Sequence, residues 1–367
     1  MYKRVAYSYI MDNDFDFVFN NLSTAPYTMI LDYSWHLMSI SLRNESMSND
    51  SLVMLGDIIV PELEKRENQV AKKYKGLLTP KQWKERAFNS SVREYLSYAI
   101  ILENDGQHDK SAKYLKKIKP YFGYDNADYN ELYANMLIRN KKINQAITYI
   151  KECLKENNAT PKMISTLKRE FLNEGGEESE FSGYLAAAKA GEQMDAKREE
   201  VLSAIMDEPI ADFNLTNLNG DQVKMSDQKG KVIILDFWAT WCAPCKKAMP
   251  GMQMALDKYK SDENVVFYFI DTQEFSSDYK ERVRDFIEEK GYDFNVLFDV
   301  ENEETHKKDK VFSTYAKAFN FSGIPQKLII DQNGNLRWRS TGYSGSPSEL
   351  ADEISIVVEY LKEEKTN

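Results

Sequence analysis

With 367 residues and a hydrophobic content of 42%, the chain is longer than one ordinary core requires, so length favours two or more domains. Its 48 Lys and Arg against 58 Asp and Glu give a formal net charge of -10, which excludes a nucleic-acid binder built on a clustered basic excess. No run of about 18 apolar residues occurs, and the opening MYKRVAYSYIMDNDF lacks the apolar stretch and small-residue cleavage site of a secretory signal. The sequence as it stands reads as a soluble chain without a transmembrane segment. Three cysteines exclude a disulfide-stapled scaffold, so any pair is reactive or metal-binding rather than structural.

Residues 1–205 carry helical spacing and almost no strand signal. Thr79 and Pro80 before KQWKERAF, and Thr160 and Pro161 before KMISTLKREF, set a capping hydroxyl ahead of a proline at the first helical position. The first 90 residues, with Trp35 and Trp83, read as helices without an assigned arrangement. YAIILENDGQHDKSAKYLKKI (98–118) and YANMLIRNKKINQAITYIKEC (133–153) overlay at an offset of 35. Tyr98, Ala99, Leu102 and Tyr114 then fall on Tyr133, Ala134, Leu137 and Tyr149, while Ser111, Leu115 and Ile118 fall on Ala146, Ile150 and Cys153. This spacing resembles tetratricopeptide-like helix pairs over two units near 95–155, and the resemblance implies a concave surface for partner segments. Cys153 stands alone on an amphipathic pattern and reads as a small buried apolar residue. The polar NEGGEESEFSG (173–183), followed by helical EEVLSAIMDE, reads as the connection into the second half.

From about residue 206 strands alternate with helices. The expected architecture is thus multidomain, α plus α/β: a helical domain over 1–205 and a domain with a mixed central sheet over 206–367. FNLTNLNGDQVKM is a hairpin around Asn219 and Gly220, the pair that supplies the two positive φ angles of a type I′ turn. VIILDFW, bounded by Gly230, and VVFYFID are continuous apolar runs suited to strands buried on both faces. Residues 245–260 and 278–290 read as the helices that follow them. KLIIDQNGNLRWRS is a hairpin turning at Asn333 and Gly334, and SPSELADEISIVVEYLK is a closing helix opened by a capping box of Ser346 and Glu349 with Pro347 at its start. ENEETHKKDK (301–310) reads as a solvated insertion before the next helix, with a place at the border of the substrate groove as the alternative. The predicted order is β-hairpin, β, α, β, α, β, β, α.

CAPC (242–245) stands at the carboxyl end of one buried strand and at the amino terminus of the next helix. The first sulfur then faces unpaired backbone N–H groups and the positive end of the helix dipole, which favour thiolate over thiol. Cys242 is expected to be acidic and nucleophilic. Cys245, one helical turn inward, is near enough to close a disulfide with it and is expected to be the more buried. Pro244 stiffens the loop where a missing N–H costs little. Such geometry suits thiol-disulfide exchange: Cys242 attacks a substrate disulfide and Cys245 resolves the mixed disulfide.

FWATWCAPC, with Asp236 six residues before Cys242 and Pro250 five after Cys245, resembles thioredoxins position by position, and GIPQKLIID is similar to their cis-proline loop. The longer DEPIADFNLTNLNGDQVKMSDQKGKVIILDFWATWCAPCKKAMP resembles the TlpA/ResA-like disulfide reductases, whose thioredoxin fold begins with an extra hairpin. The resemblance covers 206–367. It implies a thiol-disulfide oxidoreductase with no cofactor beyond a redox-active Cys242–Cys245 disulfide. It implies Cys242 as the attacking thiol, Cys245 as the resolving thiol, and Pro325, after Ile324, as a cis-proline facing them. Trp241, Ala243, Pro244 and Ile324 would border the substrate groove, with the backbone before the proline pairing an extended substrate. Asp236 would be the buried proton acceptor for Cys245, its pKa raised by burial.

Two departures stand out. That branch often carries a glutamate three residues after the second cysteine, and sometimes one between the pair; here those positions are Ala248 and Ala243. VVFYFID places Phe267 where ordinary thioredoxins carry a lysine beside the buried aspartate, so Asp236 is expected to lack a cationic partner.

Half a zinc site is set aside, because Cys153 brings no second pair and His36, His108 and His306 show no ligand spacing. A thiol peroxidase on the same scaffold calls for Thr or Ser three residues ahead of the attacking cysteine, where Ala239 stands. A redox-sensing interaction protein, with the helical half as its working part, is the chief alternative. The expected partners are oxidised protein substrates and a thiol electron donor, which the resemblance implies to be a membrane thiol carrier. It also implies an extracytoplasmic setting, with an anchor or lipid in the full precursor; the sequence by itself suggests a cytoplasmic one.

Overall fold

The computed structural model describes residues 15–304 and 306–366. Residues 1–14, on which the reading of the amino terminus rests, lie outside the described residues, as does Thr305 of the 301–310 segment. By compactness the chain divides into Met1–Ala146 and Ile147–Asn367.

The first unit is helical. Helices α1 (Asp16–Leu22), α2 (Tyr27–Ser34), α3 (Asn49–Glu67), α4 (Pro80–Asn104), α5 (His108–Phe122) and α6 (Ala127–Arg139) follow one another, and α7 (Ile143–Lys155) runs across the division. A π-helical stretch, Trp35–Ile40, extends α2 into a short turn at Ser41–Asn44. At the start of α4 the Thr79 hydroxyl accepts from the Gln82 amide while the Gln82 side chain accepts from the Thr79 amide, a reciprocal cap with Pro80 in the first turn. The inward residues of α4, from Trp83 and Ala87 through Tyr95, Tyr98 and Leu102, recur at three and four positions, so a single stripe is buried. A carboxylate of α3 lies beside it: Glu67 accepts from Ser91 Oγ at 2.7 Å and from the Tyr95 hydroxyl, and it pairs with Lys117 Nζ at 3.3 Å. Those partners are what make a buried carboxylate tolerable.

The second unit holds α8 (Pro161–Asn173), α9 (Phe181–Lys189) and α10 (Glu192–Ser203), followed by the sheet. The connecting stretch read at 173–183 is shorter than expected, because positive-φ Gly175 follows α8 and Phe181 already opens α9. Eight strands, β1 (Glu208–Pro209), β2 (Asn214–Asn217), β3 (Gln222–Lys224), β4 (Val232–Trp238), β5 (Val265–Asp271), β6 (Val296–Phe298), β7 (Gln326–Ile330) and β8 (Asn335–Thr341), lie in the order β1-β8-β7-β4-β5-β6-β2-β3. β4, β5 and β6 are parallel, whereas β7 runs antiparallel to β4. Helices α11 (Ala243–Tyr259), α12 (Tyr279–Lys290), α13 (Lys310–Phe319) and α14 (Pro347–Thr366) cover the two faces. Val232, Ile234 and Trp238 of β4 enter one apolar cluster with residues of α11, α12 and α14, while Ile233, Leu235 and Phe237 enter a second with Phe312 and Tyr315 of α13. This is a thioredoxin fold with a hairpin at its start.

The predicted order omitted β1, β6 and α13. β1 and β6 are two and three residues long, too short to announce a period, and α13 begins at the last residue of the segment read as an insertion. The turn between β2 and β3 also differs from a type I′ turn: Gly220 alone has positive φ, at 91°. Asn217 supplies the remainder, its Oδ1 accepting from the amides of Asn219 and Asp221 at 2.9 Å each.

Helices α9 and α10 are fastened to α14 by charge. Lys189 Nζ lies 2.8 Å from both carboxylate oxygens of Asp352, and Lys197 Nζ lies 2.8 Å from Glu349. Ser348 and Ala159 exchange further bonds, with Ser348 Oγ accepting from the Ala159 amide at 3.0 Å. Among the described residues no helix is long and apolar enough to cross a membrane.

Helix α11 meets α14 at Gly251, where an added Cβ would come within 2.8 Å of the Pro347 carbonyl oxygen and 3.1 Å of Leu350 Cβ. Gly251→Ala is therefore expected to destabilise the full chain by about 1–3 kcal/mol, the usual cost of overpacking. Denaturant melts of parent and variant measure it; equal midpoints would show that the helices have room to separate.

Candidate active site

Cys242 occupies the N-cap of α11, with Pro244 in the first turn, and its Sγ accepts from the Cys245 amide at 3.2 Å. The two sulfurs are joined in a disulfide, with Cα atoms 5.2 Å apart. Cys242 is 3% exposed and Cys245 is fully buried. A sulfur held at a helix amino terminus and bonded to a free backbone N–H is placed to carry negative charge once the disulfide is opened. Ala243 is half-buried, Pro244 is exposed, and Ala248 is buried in α11.

The Ile324–Pro325 peptide is cis. It precedes β7, whose Gln326 pairs with Phe237 near the carboxyl end of β4, so the proline loop reaches the sheet edge from which the CAPC segment departs. Ile324 packs against the cluster that contains both cysteines. Pro325 O accepts from the Gly342 amide at 2.8 Å.

Asp236 shares its sheet face with Ile234 and Trp238, the face covered by α11. It is 1% exposed. The expectation that it lacks a cationic partner is corrected here: Lys327, equally buried, places Nζ 3.5 Å from Asp236 Oδ1. The lysine comes from β7 rather than β5, because the antiparallel register sets Lys327 directly opposite Asp236. At that separation the contact is an ion pair rather than a well-formed hydrogen bond, and among the described residues neither group has another partner. Burial raises the Asp236 pKa, and the Lys327 charge opposes that rise without cancelling it.

A second acidic group sits at the same edge. Asp271 ends β5 opposite Trp238 and is 1% exposed; among the described residues its carboxyl oxygens find no donor. Burial first, then the charges of Glu274 and Asp299, push its pKa well above the usual carboxylate range. Glu274 in turn accepts from the Thr240 amide at 2.5 Å. Asp299 accepts from Thr272 Oγ1 and from the amides of Val300, Val311 and Phe312, which ties the loop after β5 to the start of α13. Sequence reasoning missed Lys327, Asp271 and Glu274. The first had a usable signal, an isolated charge inside apolar KLII, like Asp236 inside VIILDFW.

Trp238 is fully buried, while Trp241 is 45% exposed and donates its indole N–H to the Gln273 carbonyl at 3.0 Å. His108 bonds Glu103 at 2.9 Å and His306 lies 3.9 Å from Glu301, both far along the sequence from the cysteines. Among the described residues no group of three or more His, Cys, Asp or Glu is placed to hold a metal ion. Cys153 is fully buried in α7, and burial pushes its thiol up to about 12, which leaves it unreactive.

Residues 206–339 match the AhpC/TSA family. This part of the chain is a thioredoxin-fold domain of that family. The domain is similar to the thiol-disulfide oxidoreductase ResA of Bacillus thuringiensis strain Al Hakam, at 32% identity over 124 residues, which are 34% of this chain and 62% of the relative. It is likewise 32% identical over 123 residues to the thioredoxin-like protein YneN of Bacillus subtilis, covering 34% of this chain and 64% of that one. The chain thus spans less than two thirds of the length of these relatives. A solved thiol:disulfide interchange protein of the thioredoxin family from Chlorobium tepidum is 26% identical, over 42% of this chain and 97% of that chain, with a TM-score of 0.33.

The Asp236–Lys327 pair inside the thioredoxin-fold domain gives a stability change with a definite sign. A carboxyl group whose folded pKa lies above its unfolded value leaves stability intact below the unfolded pKa and removes it as pH rises through the folded pKa. Asp236→Asn should gain stability over the parent as pH climbs above the ordinary carboxylate range. Lys327→Met, which leaves Asp236 without its cation, should become progressively worse over the same interval. Urea melts from about pH 4 to about pH 9 read both signs; differences that do not change with pH would contradict the assignment.

Proposed function

We propose that this chain is a thiol-disulfide oxidoreductase that reduces disulfides in proteins through Cys242 and Cys245. The observation that carries the reading is the joined pair of sulfurs at the amino terminus of α11, on the face of the sheet that buries Asp236 and Lys327. The names of the similar proteins, thiol-disulfide oxidoreductase among them, support it.

In the reduced chain, the Cys242 thiolate attacks one sulfur of a substrate disulfide. That bond breaks, a mixed disulfide forms with Cys242, and the other substrate sulfur leaves as a thiolate. Asp236 in its carboxylate form takes the proton of Cys245, and Lys327 keeps that form accessible inside an apolar surround. The Cys245 thiolate then displaces the second substrate sulfur from Cys242. The substrate gains two electrons and the chain closes its Cys242–Cys245 disulfide. A dithiol donor reopens it, and the resemblance to TlpA/ResA-like reductases supports a membrane thiol carrier in that role and an extracytoplasmic setting. Ala243, Pro244, Trp241 and Ile324 border the groove, Pro325 fixes the backbone that meets the substrate, and the helices of the first unit serve to dock the partner.

Cys242→Ser is expected to bring protein-disulfide reduction down to the uncatalysed rate, whereas Cys245→Ser should accumulate a covalent substrate adduct that excess dithiol releases. Both are read on gels and by a coupled reduction assay. Equal activity in parent and both variants would remove the mechanism; stoichiometric peroxide consumption by the parent would favour a peroxidase, and redox-dependent partner binding without repeated turnover would favour a sensor. Asp236→Asn should slow the resolving step by about 10²-fold in single-turnover kinetics while leaving formation of the mixed disulfide near the parent rate; slowing of both steps alike would deny Asp236 the role of acceptor for Cys245.

A further inference from the structure

Among the described residues of the second unit, the large apolar side chains left exposed are Leu172, Trp241, Phe275 and Val300. Leu172 lies near the end of α8. The other three follow the carboxyl ends of β4, β5 and β6 in turn. Because these strands are parallel neighbours, their carboxyl ends share one edge of the sheet, and Cys242 sits at that edge. Phe275 is 76% exposed, and its ring centroid lies 5.5 Å from that of Trp241 with the planes tilted by 38°.

The loop that carries Phe275 is pinned rather than loose. The Thr272 amide donates to the Trp238 carbonyl at 2.9 Å and the Gln273 amide to the Lys308 carbonyl at 2.7 Å, while Glu274 takes the Thr240 amide. Gln273 holds φ at 57°, a left-handed conformation uncommon for its type. The indole N–H of Trp241 is already committed to Gln273, so neither ring of the pair offers a polar group to a ligand. This fixed, uncharged aromatic pair stands at the sheet edge where Cys242 sits, and its tryptophan directly precedes that cysteine in the chain, so it adjoins the surface that any substrate disulfide must cross.

We propose that Phe275 and Trp241 together form an aromatic ledge that selects disulfides whose reacting cysteine is flanked by a large apolar or aromatic residue, as presented by an extended polypeptide segment. The proposal rests on the oxidoreductase reading above and names its substrate class. Phe275 acts on specificity: it touches the residue beside the reacting cysteine and takes no part in the exchange itself. Covering a phenylalanine-sized surface on both partners corresponds to a preference of roughly ten- to hundredfold, and because no charge is involved the preference persists in high salt.

The test uses the full chain and two peptides, each with one intramolecular disulfide, flanked at both cysteines by Phe in one and by Ser in the other. The parent should show kcat/KM at least about tenfold higher for the Phe peptide, carried by KM, at both low and about 1 M salt. Phe275→Ala should bring the ratio of the two values towards one, and Phe275→Leu, which keeps an apolar side chain, should retain most of it. Turnover of both peptides at equal efficiency by the parent, or an unchanged ratio in Phe275→Ala, overturns the ledge and leaves the oxidoreductase reading intact. Absence of turnover with either peptide overturns both.

Discussion

The antiparallel register between β4 and β7 is the constraint on which the site depends. It sets Lys327 across from Asp236, and the same alignment brings the cis-proline loop to the end of β4 from which the cysteines depart. A lone carboxylate buried this deeply would be held neutral by the cost of desolvation, and a lone ammonium would be equally disfavoured. Opposed at 3.5 Å, each makes the other tolerable without matching it fully. Such imbalance leaves a group able to change protonation state, which a proton acceptor requires. One residue of slip between the strands would turn Lys327 to the opposite face and uncouple the pair.

Parallel pairing of β4, β5 and β6 has a complementary effect. It gathers three loops at one edge, so side chains distant in sequence meet around Cys242. Glu274 braces the Thr240 amide, and Asp299 holds the following loop by three backbone amides and the Thr272 hydroxyl. These carboxyl groups act as local scaffolding: they satisfy backbone donors at the place where the chain leaves regular structure. The active-site helix is held from its other side by close approach to α14 at Gly251, and α14 is itself fastened to α9 and α10 through Lys189 and Lys197.

What could be read in the sequence was whatever depends on neighbours along the chain. Spacing within FWATWCAPC located both sulfurs, a charge inside VIILDFW marked Asp236 as unusual, and Ile324–Pro325 in GIPQKLIID pointed to the cis bond that the structure contains. Caps at Thr79 and Thr160 were likewise local. Contacts set by strand register were not legible. Phe267 drew attention to β5 for a missing lysine, while Lys327 arrived from β7, on the other side of β4. Nothing local in the sequence sets Glu274 and Phe275 apart from ordinary loop content; the fold places them beside Thr240 and Trp241. Asn-Gly favours a positive φ at Asn219, but the side chain of Asn217 bonds the turn in another form.

The proposed exchange requires one sulfur stabilised as an anion by a helix end while the other stays protonated until a buried acceptor takes its proton. Cysteine-resolved alkylation of the reduced full chain across a pH series, followed by mass spectrometry, tests it directly. Cys242 should be modified at a pH well below the value of about 8.5 typical of a free cysteine, and Cys245 only above it. Two thiols that ionise together at the ordinary value would contradict the account.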